Sequence, residues 1–176
     1  MKESYAKLLQ CCLIGIFLLL LHEPPAHGRQ ASSKQAVDIP DPIIQLFKTK
    51  GLDKQYEFAA YRKPLFLRAD FNGDGKADTA IWVRQKRTRK VGIAVIHSGT
   101  NAVFFLGAGS TIGNGGDNFD WMDYWQVYPK GKVGKGSGET KIVRLQGDAL
   151  LVGRKESASG LLYWNGKRYL WYQQGD

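Results

Sequence analysis

From Leu65 to its end the chain is a succession of short β-branched and aromatic runs broken by glycine and asparagine. They read PLFLRA, DTAIWV, VGIAVIHS, AVFFLGAG, WQVY, KIVRLQ and ALLVGRK, followed by the pair in LLYWNGKRYLWY. Runs this short, with turn residues between them, favour antiparallel strands and leave little room for long helices. The expected fold class is mainly β (α+β), an antiparallel sheet or meander with a short N-terminal helix, in one domain. In the last pair Asn165-Gly166 suits a two-residue turn with positive φ at both positions. That register sets Trp164 opposite Lys167, Leu162 opposite Tyr169 and Gly160 opposite Trp171, with both faces largely apolar.

The segment before Leu65 is shorter and different. Asp41 caps a predicted helix, Pro42 suits its first position, Ile43, Ile44 and Phe47 share a face, and Gly51 ends it. Residues 52–63 fit two periods: Tyr56, Phe58 and Ala60 alternate as in a strand, while Leu52, Tyr56 and Ala59 form a helical stripe. The expectation is helix, then irregular chain. Residues 29–40, RQASSKQAVDIP, have no hydrophobic period and read as a flexible lead-in to a domain spanning 41–176.

Residues 1–28 have the order of an export signal: Lys2 and Lys7, a fourteen-residue largely apolar run from Leu8 to Leu21, two prolines, then Ala26 and Gly28. Spanning a bilayer takes about 20 apolar residues, and this run stops short. Cleavage after Gly28 places the domain in the periplasm or outside the cell, as a monomer that does not span the membrane. Both cysteines, Cys11 and Cys12, lie inside the run, so residues 29–176 contain neither a disulfide nor a thiolate. A core or a metal must supply the stability.

DFNGDGKAD, residues 70–78, offers oxygens at regular intervals: Asp70, Asn72 and Asp74 at alternate places, the carbonyl of Lys76, and the carboxylate of Asp78, with Gly75 at the sharp bend. Hard cations such as Ca2+ take six to eight oxygens in a forgiving geometry. These residues supply five ligands, or six if Asp78 binds through both oxygens, and water completes the shell. A divalent ion turns the mutual repulsion of the acids into attraction. The simpler reading is a polar turn, since Asp, Asn and Gly are ordinary turn residues, but four spaced oxygen side chains exceed what a turn requires. The helix-loop-helix calcium motif does not fit, because its twelfth place holds Ile81 and the flanks read as strands.

With its flanks, ADFNGDGKADTAIWV resembles the calcium loop of FG-GAP and VCBS repeats, found in integrin alpha propellers and many exported bacterial proteins. The resemblance implies Ca2+ held by Asp70, Asn72, Asp74, the Lys76 carbonyl and Asp78 in a β-rich extracellular domain. A propeller repeats its blade four or more times, whereas the motif occurs here once, so the expectation is a solitary β domain that uses the loop structurally. Affinity is expected in the range of extracellular modules, about 0.1–1 mM.

Other candidate chemistry is thinner. His97, the only histidine after residue 28, follows Val91, Ile93 and Val95 along one strand face and reads as a core-edge residue. The glycine-rich segments 107–118 and 129–139 lack the Lys-Ser or Lys-Thr of a phosphate-binding loop, and zinc finds no cysteine or histidine set. Asp117, Asp120 and Asp123 recur every three residues beside Trp121, Tyr124 and Trp125. They read either as loop caps over core aromatics or as a second-ion or carbohydrate site, since paired carboxylates serve glycosidases.

The net charge is +9, and residues 29–176 keep all of it. That balance favours anionic envelope polymers, lipid head groups or an acidic protein over nucleic acid, because interleaved basic and aromatic modules are lacking. RQKRTRK concentrates five cations, Arg84, Lys86, Arg87, Arg89 and Lys90, between two strands. They serve either as a solvated hairpin tip that protects an edge or as a contact for an anionic partner, assisted by Lys130, Lys132 and Lys135. The functional expectation is an exported calcium-binding interaction module. The alternatives are an envelope carbohydrate hydrolase using Asp117, Asp120 or Asp123, and an inhibitor or immunity protein of a partner enzyme.

Overall fold

In a computed structural model that describes residues 39–175, two antiparallel sheets pack face to face. Helix α1 spans Asp41–Thr49. The strands are β1 (Tyr56–Phe58), β2 (Phe66–Ala69), β3 (Asp78–Gln85), β4 (Val91–His97), β5 (Ala102–Gly107), β6 (Tyr124–Tyr128), β7 (Gly131–Lys132), β8 (Arg144–Leu145), β9 (Ala149–Gly153), β10 (Ser159–Trp164) and β11 (Tyr169–Gly175). The first sheet runs β1-β3-β4-β5, and β2 pairs with the other half of the β3 edge that β1 uses. The second runs β11-β10-β9-β6, and β7 with β8 makes a separate two-stranded ribbon.

Three apolar clusters explain why the central strands read as continuous hydrophobic runs rather than as alternations. Trp82, Ile93, Val95 and Leu106 of the first sheet meet Trp125, Leu150, Val152, Leu162 and Tyr169 of the second. On the outer face of the first sheet, Ile81, Val83, Ala94 and Ile96 pack under Phe47 of α1. On the outer face of the second, Ala149, Leu161 and Tyr172 are covered by Val133 and Leu145 from the ribbon segment. The inner strands are therefore enclosed on both sides, and every residue of β4 is buried. None of the helices among the described residues is long and apolar enough to cross a membrane.

Three local expectations need correction. The helix begins at Asp41, with Pro40 at the N-cap, so Asp41 acts through its charge in the first turn instead of capping. Residues 52–63 form a 3-10 turn at Leu52–Lys54 and then strand β1, where a longer helix is expected; the irregular chain expected next is found at residues 59–63. The period of two prevails because the edge of β3 is open to pairing there. Tyr56 then stacks on Phe105 at 3.8 Å between ring centroids, and Phe58 meets Phe47 at 4.6 Å.

The hairpin β10–β11 closes through the four residues 165–168 rather than two, with Trp164 paired to Tyr169 and Leu162 to Trp171. The Asn165 side chain accepts the amides of Lys167 (3.0 Å) and Arg168 (2.9 Å), which fixes the wider loop. A shift of two residues leaves every side chain on its expected face. Of the lead-in, residues 29–38 lie outside the described residues, as does the export signal expected at 1–28; Ile39 is buried beneath α1, so the end of the lead-in belongs to the fold.

Candidate metal centre

The loop 70–77 joins β2 to β3, and its conformation follows from its own side chains. Gly73 (φ 81°) and Gly75 (φ 83°) take the left-handed turns that other residues resist. Asp70 accepts the amides of Gly73 at 2.7 Å and Gly75 at 3.0 Å through its two oxygens. Asn72 Oδ1 accepts the Asp74 amide at 2.9 Å, and Asp74 Oδ1 accepts the Lys76 amide at 2.8 Å. Asn72 Nδ2 donates to the other Asp74 oxygen at 3.1 Å. The Lys76 amide and the Asn72 side chain hold the Asp74 carboxyl below its usual range.

Asp78 differs from the other three. It opens β3 opposite Ala69 and is fully buried. Its Oδ1 accepts the Ser98 amide at 2.9 Å, while its buried Oδ2 has no hydrogen-bond partner. Burial pushes its carboxyl up; the Ser98 amide, His97 and the Asn72 amide oppose this, though of the two amides only Ser98 reaches hydrogen-bonding geometry. A buried carboxylate oxygen without a donor is costly, and this one stands at the end of the loop that carries Asp70, Asn72 and Asp74.

The loop also joins the two sheets, which the sequence gives no way to see. Phe71 is fully buried in the inter-sheet core, and the Asp70 carbonyl accepts the Asp148 amide at 2.7 Å. Gly147, in the turn leading to β9, faces the loop so closely that a Cβ would stand 2.6 Å from Gly73 N and 2.7 Å from Asp70 O. Gly147→Ala is expected to push the turn off the loop, costing about 1–3 kcal/mol. Urea unfolding reads the effect. Ser98 and Gly99, from the turn after β4, complete the surroundings: a Cβ on Gly99 would meet Asp74 Oδ2 at 2.8 Å.

Behind the loop, His97 is buried, as its strand face predicts. Its Nε2 lies 2.8 Å from Tyr169 Oη, among Phe104 and Trp164. Burial pushes the imidazole down from 6.5, against the pull of Asp78, Asp74 and Asp70. The unfolded chain therefore takes up this proton more readily than the folded one. The contribution of His97 is complete above about pH 6.5 and is lost as pH falls from there toward the folded value. Stability measured from pH 8 to 5 is expected to fall more steeply for the wild type than for His97→Gln; identical profiles would contradict a buried neutral ring.

The remaining candidates are dispersed. Among the described residues, no group of three or more His, Cys, Asp or Glu side chains is arranged to hold a metal ion, the loop acids included. Asp117 pairs with Lys90, Asp120 accepts Asn118 Nδ2 at 2.9 Å, and Asp123 accepts the Lys155 amide at 3.2 Å beside Arg62. No two of them share a partner, and Trp121 is turned inward, donating to the Gly115 carbonyl at 3.2 Å. Of the three, Asp123 accepts a backbone amide, whereas Asp117 and Asp120 are bound by side chains.

The basic tip is likewise mostly engaged. Arg84 and Arg89 converge on Glu57 at 3.3 and 2.9 Å, and Lys86 Nζ donates to the Asp53 carbonyl at 2.7 Å. Arg87 alone of the five is without a partner among the described residues. No protein-family model matches this chain, and neither a curated protein nor a solved structure does.

Proposed function

We propose that this protein is an exported calcium-binding β domain that works as a binding or interaction module, with the ion as a structural staple. The observation that carries the reading is Asp78: a fully buried carboxylate with one unpartnered oxygen, at the end of a loop rich in oxygen ligands. The donor types suit a hard cation, whose binding would have to draw the loop acids together, since they are not so gathered here. Each carboxylate has about four lone-pair sites, and the backbone amides occupy only some of those on Asp70 and Asp74. Asn72 Oδ1 and the Lys76 carbonyl add neutral oxygens, a composition suited to Ca2+ rather than zinc. Export is supported by the apolar run behind Lys2 and Lys7 and by a cysteine-free remainder.

Because the loop is docked on the turn before β9, an ion there fastens β2–β3 to the second sheet as well as to itself. At ten times its dissociation constant, calcium adds about 1.4 kcal/mol to stability. Titration calorimetry of the wild type is expected to show one site of about 0.1–1 mM affinity, lost in Asp74→Ala. Asp74 is exposed, so that variant keeps its fold in chelator. No heat beyond dilution, with equal melting in chelator and in Ca2+, overturns the reading.

A further inference from the structure

The ribbon β7–β8 carries the binding role proposed above one step further. It lies on the outer face of the second sheet and is amphipathic: Val133 and Leu145 point inward and are buried. Lys132 and Arg144 are direct cross-strand partners, both exposed. Like charges directly opposite each other destabilise a ladder, and no acid intervenes. Asp148 accepts the Lys130 amide at 2.9 Å and Glu139 the Gln173 amide at 3.0 Å, and neither forms an ion pair with Lys132 or Arg144. Ion pairs among the described residues involve Arg62, Arg84, Arg89 and Lys90, none of them in the ribbon.

Two residues before Arg144, Ile142 is 55 % exposed, the one large hydrophobic side chain so exposed among the described residues. Lys141 beside it in the chain is exposed, as are Lys130 and Lys135 on either side of Lys132 in sequence. A polyanion in water would satisfy the cations and leave the isoleucine wet. A bilayer with anionic head groups satisfies both, taking the aliphatic side chain into its head-group boundary while phosphates meet the cations. We infer that the outward face of β7–β8, with Lys132, Arg144 and Ile142 at its centre, docks the domain on an anionic lipid surface. The ribbon is held on the second sheet by Val133 and Leu145, and Gln146, next after Leu145, packs on Gly73 of the loop; the inference rests on the binding role, and a test in chelator reads it without the ion.

The test is co-sedimentation of the wild-type protein, in chelator, with phosphatidylcholine vesicles with and without phosphatidylglycerol. Binding is expected only to the anionic vesicles and should weaken with salt. Near an anionic surface, each lost cation reduces partitioning about fivefold. Lys132→Gln with Arg144→Gln should therefore weaken it about 25-fold, and Ile142→Asn on the order of tenfold. Removing two charges from α1 instead, Lys48→Gln with Lys50→Gln, should leave it within about twofold.

All these sites are exposed, so unchanged melting temperatures confirm intact folds. Three results would overturn the inference. These are no binding to anionic vesicles, an equal loss from the α1 pair, and binding to a soluble polyanion such as heparin that Ile142→Asn leaves untouched while vesicles are ignored. A failed calcium titration leaves the chelator result standing, so the two readings fail separately.

Discussion

Asp78→Asn is expected to reverse its effect on stability when calcium is added. In chelator the variant melts at or above the wild-type temperature; in millimolar Ca2+ it melts below it. The reversal follows from the two sides of one carboxylate. Without an ion, a fully buried charge with an unpartnered oxygen opposes folding, and the amide removes the charge at nearly constant volume.

The direction of the Asp78 shift gives the same sign. An acid raised above 3.8 by burial binds its proton more tightly folded than unfolded. In chelator its contribution is therefore present at low pH and lost as pH rises through the window above 3.8. On the proposed reading the same charge becomes a ligand once calcium is present, and the wild type gains about 1.4 kcal/mol at ten times the dissociation constant. That is about 3–6 °C for a domain of this size. Scanning calorimetry of both proteins in the two buffers is the measurement, and parallel shifts in both would remove Asp78 from the site.

The second large effect concerns the inter-sheet core. Trp82 is fully buried, with Trp125 at 5.0 Å and Tyr61 at 5.6 Å between centroids, and its indole Nε1 has no hydrogen-bond partner. Trp82→Ala is expected to cost about 3–5 kcal/mol, enough to unfold much of a domain of ordinary stability. Trp82→Phe is expected to cost only about 1 kcal/mol, because the lost ring volume is partly offset by removing an unpaired buried donor. Urea unfolding followed by circular dichroism separates the two. A phenylalanine variant as damaged as the alanine one would mean that the indole N–H has a partner after all.

Trp82 shows how legibility varies within one strand. DTAIWV is unmistakably a strand in sequence, but nothing local says that both its faces are covered or that Tyr61 and Trp125 close over the ring. The segment carrying Tyr61 crosses to the second sheet through Arg62 on the Met122 carbonyl at 2.8 Å and through the Pro64 carbonyl, which takes Trp125 Nε1 at 2.9 Å. These contacts span about 60 residues, beyond the reach of any periodicity. The same applies to β1: Tyr56 and Phe58 carry a weak alternation that becomes a strand only because β3 offers an edge. The basic run 84–90 reads as one free patch of five cations, yet Glu57 and Asp117 arrive from other segments and pair with three of them, Arg84, Arg89 and Lys90.

Read alone, the sequence indicates the β character, a short helix ahead of Gly51, the inward-facing side of His97 and the spacing of oxygens in residues 70–78, because these depend on side-chain chemistry repeated over a few residues. The tertiary structure decides that the loop is wedged against Gly147, that Asp78 loses all contact with solvent, and that Lys132 and Arg144 face each other uncompensated. Burial and cross-strand pairing are properties of surfaces brought together from distant parts of the chain. A stretch of sequence can supply ligands; only the packing around it sets how strongly an unpartnered charge needs a cation.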